Sequence, residues 1–127
     1  MPRILVIDGE VDVRSTVKAY LVKENYEVVE AIDGGDAIRK IFAQVDLLKI
    51  DAIVCDIRMP TIYGMDAISY FQTKYADIPV IIMARSHDSQ LALNILKKGV
   101  NGYISKPINK DTLLAAVKKA VSEKEQP

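Results

Sequence analysis

The stretch Ala52-Ile53-Val54-Cys55-Asp56-Ile57-Arg58-Met59-Pro60 decides the fold. Four apolar residues run without interruption into an aspartate. A short continuous apolar run is what a strand covered on both faces requires. Two other runs end in the same manner: Ile4-Leu5-Val6-Ile7 meets Asp8, and Gly102-Tyr103-Ile104-Ser105 meets Lys106-Pro107. In a parallel sheet all strand ends lie along one edge, so the two acids and the lysine are expected to converge there. A carboxylate, a second acid and an ammonium group in one cleft suit a phosphate and a metal ion.

Amphipathic segments fill the intervals. Strands are predicted over 3–7, 26–31, 52–55, 80–83 and 103–104. Helical spacing predicts helices over 10–24, where Val13, Val17, Tyr20 and Leu21 recur, and over 36–44, with Asp36 as cap and Ala37, Ile38, Ile41 and Phe42 on one face. Further helices are predicted over 65–75, over 91–98 ending at the cap Gly99, and from the cap Asn109 to about residue 123, with Leu113, Leu114, Val117 and Val121 inward. Five strands alternating with five helices predict an α/β fold, a flavodoxin-like three-layer (βα)5 sandwich. Right-handed crossovers place helices on both faces of a five-stranded parallel sheet, expected in the order 2-1-3-4-5. Ligands of such sheets bind beyond the carboxyl ends of the strands near the order reversal, between strands 1 and 3, which end in Asp8 and Asp56.

Composition narrows the function. The 127 residues read as one domain, 1–127, with a polar tail at 122–127. Seventeen basic and seventeen acidic side chains give a net charge of zero, which argues against nucleic-acid binding. No apolar run approaches the ~18 residues a membrane span needs, and the start has no signal-peptide pattern. The expected location is cytoplasmic. A single cysteine, Cys55, is expected to be a small buried side chain. His87 reads as a surface residue, Met59 and Met65 as packing groups, and the Lys97-Lys98 and Lys118-Lys119 pairs as solvated helix faces. The chain has no Walker A loop, zinc-ligand spacing or hydrolase elbow.

These motifs, across essentially the whole chain, resemble the receiver domain of bacterial two-component response regulators. Ile4-Leu5-Val6-Ile7-Asp8-Gly9-Glu10 is similar to the family's first-strand acidic motif. Asp56-Ile57-Arg58-Met59-Pro60 followed by Gly64 resembles its phosphoacceptor loop, and Gly99 through Pro107 its fifth-strand motif. The resemblance implies that Asp56 is the phosphoacceptor and Lys106 the phosphate contact. It implies magnesium held by Asp8, Asp56 and the Arg58 backbone carbonyl, a Lys106–Pro107 bond that is cis, and Tyr103 as the aromatic that reports activation. The implied partners are a sensor histidine kinase or phosphotransfer protein and an output protein. The output protein would use the face of the fourth helix, fifth strand and fifth helix; a second copy of the chain is a further candidate. Enzymatic activity would be limited to self-phosphorylation and autodephosphorylation at Asp56.

Two departures from the family pattern qualify this. Gly9 stands where the family has a second acid that binds the metal directly. Losses even in the shell outside the ligands cost ~10–100-fold in metal affinity, so weak magnesium binding is expected, with Glu10 as a partial substitute. Ala84 stands where the family has a Thr or Ser, and Arg85 where it has a small residue; Ser86 is a substitute donor two positions on. Impaired phosphorylation is therefore expected. So is weaker coupling between Asp56 and Tyr103, with Tyr103 turned inward in the absence of phosphate. The alternative is a phosphorylation-independent pseudo-receiver that serves as a protein-binding module. A phosphohydrolase is disfavoured because Arg58, not an acid, stands two positions after Asp56. A flavin protein is disfavoured because no Ser/Thr/Gly phosphate loop follows the first strand.

Overall fold

The computed structural model describes residues 1–43 and 49–125. The strands are β1 (Arg3–Ile7), β2 (Glu27–Ala31), β3 (Ala52–Asp56), β4 (Val80–Ala84) and β5 (Gly102–Ser105). The helices are α1 (Val11–Lys23), α2 (Gly34–Ala43), α3 (Ala67–Lys74), α4 (Ser89–Leu96) and α5 (Lys110–Glu125). All strand pairs are parallel, in the order β2-β1-β3-β4-β5. This is the flavodoxin-like architecture expected from the sequence.

Alternation along the strands builds the three layers. Ile4, Val6, Ala52, Val54, Ile81, Met83 and Ile104 pack under α1 and α5 with Val17, Leu21, Leu113 and Val117. Leu5, Ile7, Ile53, Cys55, Ile82 and Ala84 pack under α2, α3 and α4 with Ile38, Phe71 and Ala92. Each central strand thus buries both its faces, which explains its unbroken apolar sequence.

Several boundaries differ from those expected, for local reasons. The cap of α2 is Asp33, whose Oδ1 accepts the Asp36 amide at 2.8 Å, and not Asp36. The Asp36 carboxylate instead accepts the Ile32 amide at 3.0 Å, which makes a reciprocal cap. That amide, with Lys40 and Arg39, holds the Asp36 carboxyl below its ordinary range against some desolvation. The expected extension of α2 to Gln44 and the inward side chain of Phe42 lie outside the described residues. Helix α3 begins at Ala67 rather than at residue 65, because Asp66 caps it through the Ser69 amide at 2.9 Å. Residues 62–65 form instead a tight reversal, with Ile62 and Met65 exchanging backbone hydrogen bonds around Tyr63 and Gly64, both at positive φ. Helix α4 begins at Ser89, two residues before the expected start, because a 3₁₀ turn over Ser86–Asp88 leads into it. Gly99, at φ +104°, follows its end. Asn109 caps α5 through the Thr112 amide at 3.0 Å, as expected. Among the described residues no helix is long and apolar enough to cross a membrane.

Candidate functional site

The strand alternation that builds the core also assembles the site. Asp8 follows Val6 by two residues, Asp56 follows Val54, and Lys106 follows Ile104, so all three continue the face that packs under α1 and α5. Lys106 Nζ lies 2.7 Å from Asp8 Oδ2 and 3.7 Å from Asp56 Oδ2. The side chains are 1% exposed for Asp8, 8% for Lys106 and 19% for Asp56, so the carboxylate open to an incoming group is Asp56. The three sequence-predicted residues therefore meet, with the lysine closer to Asp8.

Local structure fixes each member. Asp8 Oδ1 accepts the Glu10 amide at 2.8 Å, and its carbonyl accepts from the Arg14 guanidinium at 2.7 Å. Arg14 itself is held by Glu30 at 3.3 Å. Lys106 is anchored by its backbone amide, which donates to the Ala84 carbonyl at 2.8 Å, and the Lys106–Pro107 peptide bond is cis. Burial raises the Asp56 carboxyl above its ordinary range; Lys106 opposes that shift and the neighbouring Asp8 adds to it. The Cys55 thiol is fully buried, and burial first, then the negative charge of Asp56, pushes its pKa up. It is not a reactive thiol.

Two long-range ion pairs frame the site. The Arg58 guanidinium donates to Asp88 through Nε at 2.9 Å and through a second nitrogen, which ties the loop after β3 to the turn before α4. That bond holds the Asp88 carboxyl below the ordinary range. Arg85 pairs with Glu10, joining the end of β4 to the loop after β1. Neither pair follows from sequence spacing: the partners stand 30 and 75 residues apart. The period-two continuation of β4 from Ile81 and Met83 to Arg85 is the signal that places Arg85 on the charged face.

The donor set is depleted for a resident magnesium ion. Asp8 and Asp56 share the single ammonium of Lys106, Glu10 is engaged by Arg85, and Gly9 contributes no oxygen. Among the described residues no three His, Cys, Asp or Glu side chains cluster as metal ligands. On the other face of the sheet, Tyr103 is half-buried and packs against the cluster that contains Ala84. Ser86 is exposed in the 3₁₀ turn.

A parallel sheet that gathers two acids and a lysine at its carboxyl edge matches the arrangement that the resemblance to receiver domains implies. Residues 4–118 match the response regulator receiver domain family, and the chain belongs to it. It is 30% identical over 121 residues to the chemotaxis protein CheY of Listeria monocytogenes, covering 94% of this chain and 98% of that one. It is 31% identical to the transcriptional regulatory protein PrrA of Mycobacterium bovis over 92% of this chain, and 31% identical to the CAI-1 autoinducer sensor kinase/phosphatase CqsS of Vibrio cholerae over 91%. It spans only 48% of PrrA and 17% of CqsS. The crystal structure of a response regulator receiver domain protein from Clostridium thermocellum superposes with a TM-score of 0.84, at 27% identity and 98% coverage of both chains. Receiver domains serve as signalling modules between sensor kinases and outputs rather than as general enzymes, and as a class they bind magnesium at the phosphorylation site.

Proposed function

We propose that this receiver accepts a phosphoryl group on Asp56 from a sensor histidine kinase or phosphotransfer protein, in the cytoplasm, at a reduced rate. The observation that carries the reading is the placement of Lys106 between a buried Asp8 and a more open Asp56. In the transfer, an Asp56 carboxylate oxygen attacks phosphorus. The P–N bond of the phosphohistidine breaks, and the imidazole leaves with the electron pair and takes up a proton. Lys106 neutralises charge on the phosphoryl oxygens. Ala84 offers no hydroxyl to them, and loss of one such donor costs ~10²–10³ in rate at comparable sites. Magnesium binding is weak because the acid at position 9 is missing; the Arg58 carbonyl and Glu10 do not make up for it. Gly9→Asp tightens it, since a Cβ at Gly9 meets nothing nearer than the Ile32 carbonyl at 3.9 Å.

Output passes through the face of α4, β5 and α5 to a partner protein or a second copy, where Leu91, Leu93 and Leu96 are exposed. Ala84 also supports a second reading, a phosphorylation-independent binding module. Without a hydroxyl to draw toward phosphate, Tyr103 rests inward in both states, and a modification shifts two states only by its differential interaction with them. Incubation with acetyl phosphate and magnesium, followed by intact mass, separates the two. The phosphoacceptor reading expects slow labelling of wild type and none of Asp56→Asn; no labelling at any time favours the binding module.

A further inference from the structure

We propose that Arg85 is a second phosphoryl-binding cation, which supplies beside Asp56 the positive charge that the depleted carboxylate set does not recruit as metal. The inference deepens the phosphoacceptor reading and rests on it for the identity of the ligand. Its evidence is strand order. β3 lies between β1 and β4, with neighbouring strands ~4.8 Å apart, so a bond from the loop after β1 to the residue after β4 must cross the end of β3. The Glu10–Arg85 pair makes that crossing, and Asp56 is the last residue of β3. Arg85 keeps extended geometry, φ −75° and ψ 161°, so it continues the alternation of Ile81 and Met83 onto the face shared by Asp8, Asp56 and Lys106. A cleft of about 370 Å³ lined by Glu10, Val13, Arg85, Ser86, His87, Lys106 and Pro107 opens at this edge; Asp56 does not line it but adjoins it through Lys106, whose Nζ lies 3.7 Å from Asp56 Oδ2.

Charge decides what the cleft takes. A phosphoryl group on Asp56 brings two negative charges next to Asp8, and Lys106 alone does not balance them. Arg58 is committed to the buried Asp88 through two nitrogens. Arg85 donates one hydrogen bond, to Glu10, and both side chains are about half exposed. An exposed pair of this kind holds weakly, and the guanidinium has five N–H donors in a fork that matches phosphate oxygens. The dianion therefore displaces Glu10 as the partner of Arg85. The ligand is a phosphate-like oxyanion, whether free or covalently held on Asp56.

Two assays test this, the first in EDTA and the second in magnesium. The first is calorimetric titration of inorganic phosphate into wild type, Arg85→Ala, Arg85→Lys and Glu10→Gln. We expect binding to wild type, a loss of about tenfold in Arg85→Ala, the ratio one charge-assisted hydrogen bond supplies, partial recovery in Arg85→Lys, and a gain in Glu10→Gln, where the competitor is gone. The second is labelling by acetyl phosphate read by intact mass, in which attack by Asp56 expels acetate; Arg85→Ala should slow it by a similar factor. Absent phosphate binding, or equal binding to wild type and Arg85→Ala, overturns the proposal. Labelling that ignores Arg85 overturns it while leaving Asp56 as acceptor. Phosphate binding through Arg85 with no labelling refutes Asp56 as acceptor and leaves the oxyanion site standing.

Discussion

The two faces of the sheet end differently although the same strands build both. Under α1 and α5 the alternate residues run Ile4-Val6-Asp8, Ala52-Val54-Asp56, Ile81-Met83-Arg85 and Ile104-Lys106, from core into charge. Under α2, α3 and α4 they run Ile53-Cys55-Ile57 and Val80-Ile82-Ala84, with Tyr103 beside them, and stay apolar to the edge. Charged side chains thus end one face and apolar packing the other, one residue apart in each strand. The two departures from the family pattern lie at the strand ends: Gly9 follows Asp8 after β1, and Ala84 is the last residue of β4.

Substitutions on each face test this division. The largest effect belongs to the apolar face. Phe71 is fully buried there, and Phe71→Ala should cost ~3–5 kcal/mol of folding stability by denaturant titration. Labelling of Asp56 per folded molecule should not change, and a parallel fall in labelling would show that the faces are not separable.

A smaller, opposite effect is expected on the charged face. Burial raises the Asp56 carboxyl, so the folded state binds its proton more tightly than the unfolded state. The favourable contribution is therefore complete below the ordinary value of 3.8 and lost as pH rises through the folded value. Asp56→Asn should raise Tm at neutral pH, with the difference vanishing below the ordinary carboxylate range. An Asp56→Asn protein less stable than wild type at pH 7 would mean that the Lys106 attraction outweighs burial.

The smallest effect concerns the clamp between the loop after β3 and the turn before α4. Arg58 lowers the Asp88 carboxyl, so its contribution is present above the ordinary aspartate value and lost as pH falls through the lowered one. Arg58→Met should lower Tm slightly at pH 7, and the gap from wild type should close in acid. A gap independent of pH would assign the loss to packing of the arginine stem.

What could be read from the sequence follows from the range of the interactions. The central strands were legible because burial on both faces leaves unbroken apolar runs such as residues 52–55. Asp8, Asp56 and Lys106 were legible as strand ends because the topology carries strand ends to one edge. The cap of α2 was misplaced because Asp33 and Asp36 are both able caps, and only the backbone path assigns the Asp36 amide to Asp33. The Arg58–Asp88 and Glu10–Arg85 pairs left no local trace, since each joins loops that meet only after the sheet has formed.

On the proposed reading, this receiver keeps its acceptor and its lysine but works slowly because Gly9 and Ala84 remove a carboxylate and a hydroxyl. The most direct measurement is the rate of acetyl phosphate labelling in magnesium for wild type and for the double variant Gly9→Asp with Ala84→Thr, with Asp56→Asn as the blank. The expected result is slow labelling of wild type and a rate at least tenfold higher in the double variant, a conservative share of the ~10²–10³ that one transition-state donor provides. Rapid, stoichiometric labelling of wild type, with no gain in the double variant, would contradict the account.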